Sequence, residues 1–275
     1  DVHWVEDMYA MIGDASSFNG DISGWHVGWV TNMQYMFQHA TSFNQDISSW
    51  DVSKVTNMGG MFSNAMAFNQ DIGNWETGSV TNMRGMFSNA TTFNHDIGDW
   101  DVSRVTTTSY MFSGAAAFNQ DISNWDVSSV TGMGSMFWNA TSFDQDVGGW
   151  DVSGVTDMNN MFNGASAFNQ DLGDWDVSRV ENMFRMFWHA SSFNGDISGW
   201  DVGRVVNMSG MFSNATAFNQ DLGSWDVSSA WDMSSMFNRA AAFNQDLSGW
   251  CVTNIDSEPT EFSTGAPLTA AHKPV

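Results

Sequence analysis

The chain has 275 residues, 42% of them hydrophobic, and carries 31 Asp plus Glu against 8 Lys plus Arg for a formal charge of -23. That balance speaks against nucleic acid or an anionic membrane as partner, because both are held through counterion release at basic residues. It suits a protein kept apart by self-repulsion, or one that meets cations or basic surfaces. No apolar run approaches the ~20 residues of a membrane span, and the single cysteine, Cys251, rules out an internal disulfide.

From the start, Asp1-Val2-His3-Trp4-Val5 aligns with Asp51-Val52-Ser53-Lys54-Val55, and the same 25-residue unit runs without insertion to Trp250. A fixed period of this size means a solenoid, each copy one coil stacked on the last. Asp1 is not an initiator methionine and sits in mid-repeat, so the chain reads as a mature or excised piece. Cys251-Val252-Thr253-Asn254-Ile255 begins an eleventh copy and stops. The expected organisation is a solenoid over 1–255, followed by a flexible or capping tail over 256–275 that holds all three prolines.

Within one copy, Ile47-x-x-Trp50-x-Val52 has the spacing of a leucine-rich-repeat strand, with Trp50 and Val52 inward and Ser49, Asp51 and Ser53 outward. Neighbouring copies would pair as a parallel sheet at ~4.8 Å per coil. Thr56 reads as the cap of a short helix in which Met58, Met61 and Phe62 share one face at i, i+3 and i+4. Asn64 and its equivalents suit a left-handed helix end, and Ala65 recurs in every copy as a tight turn requires. The columns Phe18 to Phe243, Trp25 to Trp250, Met11 to Met236 and Ile22 to Leu247 supply the core, each fully buried large side chain stabilising by ~1.5–3 kcal/mol. The expected fold is therefore an α/β solenoid of leucine-rich-repeat type, with a parallel sheet on one face and short helices on another.

The run Phe-Asn-Gln-Asp-Ile-Ser-x-Trp-Asp-Val-Ser-x-Val-Thr-x-Met-x-x-Met-Phe-x-x-Ala, as in Phe43 to Ala65, resembles the BspA-like leucine-rich-repeat surface proteins. More closely, it resembles the 25-residue variant of mycoplasma lipoproteins and some protists. The resemblance covers Asp1 to about Asp256. It implies an extracellular or surface-attached solenoid, adhesion to host or matrix proteins, and no catalytic residues.

Several residue sets are candidates for contact. Asp51, Asp101, Asp126, Asp151, Asp176, Asp201 and Asp226 form an acidic column that Asp1 also joins. Unit charges one coil apart repel by roughly 3.5 kcal/mol at an effective dielectric of 20, so splayed side chains, serine donors or cations must relieve them. A second column, Asp21 to Asp246, includes Asp46, Asp71 and Asp121. With Asn44-type oxygens nearby these are weak calcium candidates, and the competing expectation is that they bond backbone amides in turns. Off-period aromatics form a third set: Trp4 and Trp29 in one column, Trp138 and Trp188 in another, and Phe184 beside Trp188. With core positions already filled, these rings are expected at the surface, where exposed aromatics mark contacts. Sequons at Asn89, Asn139, Asn207 and Asn214 allow glycosylation in a secreting eukaryote. The six histidines scatter. His39 and His189 share a column but lie roughly 29 Å apart at the strand spacing, which excludes a shared metal site.

No nucleophile stands at a suggestive spacing from a base. The sequence thus reads as a non-catalytic extracellular or cell-surface protein without a resident cofactor, binding a protein or glycan. The alternatives are a head-to-tail, cation-bridged filament or coat and, less favoured, an ice-binding face on the Thr31 to Thr156 column.

Overall fold

The computed structural model describes residue 2 and residues 4–274; Asp1 and His3, placed in the first copy by sequence, lie outside the described residues. Ten coils stack in register, and the bonds between them carry the fold. Among the described residues the parallel pairing is reduced to one bridge per step, from Asp7↔Asn32 through Asn57↔Asn82 to Asn207↔Asp232. The one helical element among the described residues is a 3-10 turn over Ala270–His272.

Among the described residues the coils form neither the expected strand nor the expected helix, for reasons visible in the backbone. Around Trp50, i→i+3 bonds bend the chain: Trp50 N–H donates to Ile47 C=O at 3.1 Å and Val55 N–H to Val52 C=O at 2.9 Å. Beyond Met58, alternate amides leave the coil. Met58, Gly60, Phe62 and Asn64 donate to Asn82, Arg84, Met86 and Ser88 of the next coil at 2.7–2.9 Å. The intervening Met61, Ser63 and Ala65 close i→i+3 turns at 3.0–3.1 Å. A helix needs every amide directed along its own axis and φ near -63°. Here Gly60 has φ +61° and Asn64 φ +60°, and both columns repeat that left-handed geometry through the rod. Thr56 caps nothing: its amide and its hydroxyl both donate to Thr31 C=O of the preceding coil, at 2.8 and 3.1 Å. The amide bond persists where Glu181, Val206 and Trp231 replace the threonine, so the column tolerates those side chains.

The aromatic columns form the core as expected. Phe62 and Phe68 stack within their coil at 4.0 Å between ring centroids, and Phe62 stacks on Phe87 of the next coil at 5.6 Å. Trp75 stacks on Trp100 at 6.3 Å with planes 4° apart. A buried indole needs an acceptor. Each tryptophan from Trp50 to Trp250 finds one in the carbonyl at the Ile/Leu/Val position of the preceding coil, at 2.8–3.3 Å.

Residues 256–274 lie across the last coil as a strap. Ser235, Phe237 and Arg239 donate to Thr260, Phe262 and Thr264 at 2.7–2.9 Å, and Leu247 donates to His272 at 2.8 Å. Glu261 at φ +56° and Gly265 at φ +81° repeat the two left-handed positions one residue late. The strap is therefore an eleventh coil with a one-residue slip, closed by buried Phe262 and Leu268. At the opposite end, Phe18 and Trp25 are half-buried and Met11 is exposed. No helix of the described residues is long and apolar enough to cross a membrane.

Candidate functional site

The recurring Phe-Asn-Gln-Asp motif is structural at every letter. Phenylalanine fills the core. The Oδ1 of Asn19 and of each equivalent residue accepts the amide of its counterpart in the next coil, nine times over at 2.8–3.0 Å. Glutamines such as Gln70 clamp the preceding coil through Nε2, here to Asn44 O at 3.1 Å and Asn44 Oδ1 at 2.9 Å. All ten aspartates from Asp21 to Asp246 accept the amide two residues on, at 2.9–3.1 Å. Asp46, Asp71 and Asp121 thus each commit one oxygen to an Asx turn.

The Asp51 column does the same. Asp51, Asp101, Asp126, Asp151, Asp176, Asp201 and Asp226 accept the amide two residues on at 3.0–3.1 Å. Ser53 and Ser103 add hydroxyl donors at 2.6 Å. These bonds, first from the serine hydroxyl and then from its amide, hold the Asp51 and Asp101 carboxyls below the ordinary range, with Lys54 and Arg104 adding to the effect. Serine donors offset the repulsion at these members of the column, while Asp201, followed by Gly203, has only the amide. The aspartates stay exposed, and among the described residues no three His, Cys, Asp or Glu side chains converge to hold a metal ion.

The sequon asparagines also serve the stack. Asn89 is exposed in the left-handed conformation and its Nδ2 donates to Asn64 Oδ1 at 3.0 Å. Asn139 is exposed with the same geometry, while half-buried Asn214 donates to Ser213 Oγ at 3.2 Å. Asn207 lies in the bridge ladder, its Oδ1 taking the Ser209 amide at 3.0 Å.

The off-period aromatics separate onto two faces. Trp4 and Trp29 meet at 6.0 Å with their planes tilted by 34°, and Lys54 Nζ sits 3.4 Å from the Trp29 ring centroid, beside the acidic column. Trp138, Phe184 and Trp188 lie instead on the lateral face traced by Gly59 to Asn64 in each coil. The structure brings Phe184 and Trp188 together through Arg185, whose guanidinium carbon is 4.7 Å from one ring centroid and 4.5 Å from the other. Trp138 is 40% exposed two coils away. In its column Ser113, Asn163 and Ser213 are buried, whereas Ser63 and Ser88 are half-buried. That is the pattern an indole lying along the column produces.

Sequence reasoning missed the rest of this face. All three tyrosines, Tyr9, Tyr35 and Tyr110, lie on it, and Arg84 stacks on Tyr110 at 4.8 Å. The four columns through Gly59, Gly60, Ser63 and Asn64 carry Arg84, Arg185, Arg239, His39 and His189, and one carboxylate, Asp14. Asp14 is already bonded to His39 at 2.8 Å. Writing the copies one beneath another would have shown this concentration.

The family model described as "Mycoplasma protein of unknown function, DUF285" matches residues 1–91, 66–175 and 167–271, tiling the rod in three overlapping segments. No curated protein matches the chain. Seven chains of solved structures match, among them one described as "Crystal structure of TLR13-ssRNA13 complex". It is 10% identical with a TM-score of 0.26; the match covers 86% of this chain, which spans 45% of that one. The chain is a repeat solenoid and belongs to the family described as Mycoplasma protein of unknown function, DUF285.

Proposed function

We propose that the chain is a non-catalytic surface or extracellular binding module, and that its lateral Gly59–Asn64 face meets a protein or glycan partner. One observation carries the reading: on a backbone that repeats coil after coil, this face holds all three tyrosines, Trp138, Phe184, Trp188 and three of the six arginines against one carboxylate. Interface centres are enriched in those residue types and depleted in carboxylates. The resemblance to BspA-like surface proteins supports the same reading. So does the use of the recurring Asn, Gln and Asp side chains as structural bonds, which leaves the variable columns to carry specificity.

The test is an array of immobilised glycans and matrix proteins, probed with the chain and with a Trp138→Ala/Phe184→Ala/Trp188→Ala variant. Loss of the chain's hits in the variant, at unchanged thermal stability, supports the reading. Hits that survive all three substitutions refute it.

A further inference from the structure

The Phe184–Arg185–Trp188 cluster has chemistry that narrows the partner. We propose that Arg185, with Trp188, Asn160 and His189 around it, is a subsite for the carboxylate of an acidic sugar within a glycan; this rests on the lateral face being the binding surface.

Arg185 is exposed, yet its position is fixed. Its backbone is left-handed at φ +53° and its guanidinium lies over two rings. Its stem lies against Gly210 of the next coil, where a Cβ would come within 3.1 Å of Arg185 Cγ. Among the described residues no carboxylate pairs with it, although the chain has 31 acids; the ion pairs there are His39–Asp14 and Lys273–Glu258. The nearby acids do not fill the role. Both oxygens of Asp157 accept from Asn159 Nδ2 at 2.7 Å, and Glu181 is exposed in the threonine column. A guanidinium held over two rings and paired with no carboxylate presents a fork of donors that matches a carboxylate in bidentate fashion.

What surrounds the fork selects a sugar over a peptide. The backbone of this face is spent on the stack: Asn160 N–H donates to Phe184 O at 2.8 Å and Arg185 N–H to Ser209 O at 2.9 Å. An extended peptide would find no strand edge to pair with. Hydroxyl groups need only side-chain amides, and the amides are in place. Asn163 donates to Asn160 Oδ1 at 2.8 Å and Asn160 to Asn159 Oδ1 at 2.9 Å, a chain running beside the indoles. The half-buried Trp188 ring, with Arg185 on it and His189 in a T-shaped contact at 4.6 Å, supplies an apolar flank beside the fork for the C–H groups of a pyranose. The overall charge acts against dense polyanions, but it is screened beyond about 8 Å at physiological salt, so a single carboxylate at Arg185 answers to its local field.

The experiment is calorimetric titration of the full chain with three acidic oligosaccharides: a hyaluronan hexasaccharide, an oligogalacturonate and 3′-sialyllactose. Each is paired with its carboxyl-reduced or desialylated counterpart, and a glutamate-rich peptide is run beside them. The expected result is that at least one acidic sugar binds at least tenfold more tightly than its neutral counterpart and than the peptide. Arg185→Gln and Arg185→Gly should each remove that tenfold preference, so that the acidic sugar binds no more tightly than its neutral counterpart. Arg185→Lys should keep part of it. Glycine already occupies this left-handed column at Gly60, Gly85 and Gly210, so the fold will accept Arg185→Gly.

No acidic preference in the wild type, or tighter binding of the peptide, overturns the proposal. Acidic binding that ignores Arg185 but falls in Trp138→Ala and Trp188→Ala overturns the carboxylate subsite and leaves the face reading standing. Binding that ignores all of these substitutions overturns both.

Discussion

Thr108 offers a sharp test of the core. It stands in the column that is methionine in the neighbouring coils, at Met58, Met83, Met133 and Met158, and it is fully buried. Its backbone is satisfied, the amide donating to Gly132 O at 3.2 Å and the carbonyl accepting from Met111 N–H at 2.9 Å. Its hydroxyl has no partner. A buried polar group without a hydrogen bond costs about 1–3 kcal/mol, so Thr108→Val, which keeps the shape and removes the hydroxyl, should stabilise by about that amount. Thr108→Met should gain at least as much, since each further buried CH₂ adds about 0.8 kcal/mol. The reverse change, Met158→Thr, should cost about 2–5 kcal/mol through lost burial and a new orphan hydroxyl. Urea unfolding followed by tryptophan fluorescence reads all three as midpoint shifts at constant slope. A Thr108→Val midpoint equal to or below wild type would show that the hydroxyl is satisfied, and would refute the reasoning.

Other perturbations separate the devices that hold the coils together. Gly85→Ala should cost about 1 kcal/mol, the penalty of a left-handed alanine, because an added Cβ there meets nothing closer than 3.9 Å. Gly60→Ala should cost more, because its Cβ would fall 2.4 Å from the Tyr35 ring; equal thermal shifts for the two would contradict the packing. Asn94→Ala removes the acceptor of the Asn119 amide and of Gln120 Nε2, so amide exchange at Asn119 should quicken while distant coils stay protected. Acid should destabilise the rod. Asp51 and Asp101 have folded pKa values below the unfolded value of about 3.9. Their contribution is complete above that pH and is lost as pH falls through the folded values. Ser53→Ala/Ser103→Ala should flatten the decline in thermal midpoint below pH 4; an unchanged slope would count against the serine bonds.

What the sequence could show followed from its period. The ten copies, the aromatic and methionine columns and the turn-forming Asn64 column were all legible, because burial and left-handed φ leave marks in residue type. The absence of a helix was not legible: Met58, Met61 and Phe62 have the i, i+3, i+4 spacing of a helical face, yet a succession of i→i+3 turns buries the same set. The one contrary sign, glycine at Gly60, Gly85 and Gly210, is masked by Tyr35, Tyr110 and Arg185 in the same left-handed column. The Asp46 and Asp51 columns could be read as metal ligands or as Asx acceptors, because carboxylate spacing alone does not say where the nearest amide lies. The lateral face was legible only in Trp138, Phe184 and Trp188; its tyrosines and arginines escaped notice for a different reason. Apart from the Phe184–Arg185–Trp188 cluster, its residues are far apart in sequence and meet across coils, as Arg84 meets Tyr110.

The proposed function has partners bind the lateral face rather than the acidic columns or the rod ends. Hydroxyl-radical footprinting of the chain, alone and with the tightest ligand from the glycan and matrix-protein array, tests it most directly. The expected result is protection of Tyr110, Trp138, Phe184 and Trp188, with Trp231 and the Trp4–Trp29 pair unchanged. Protection confined to Trp4, Trp29 or Trp231, with the lateral rings as reactive as in the free chain, would contradict it.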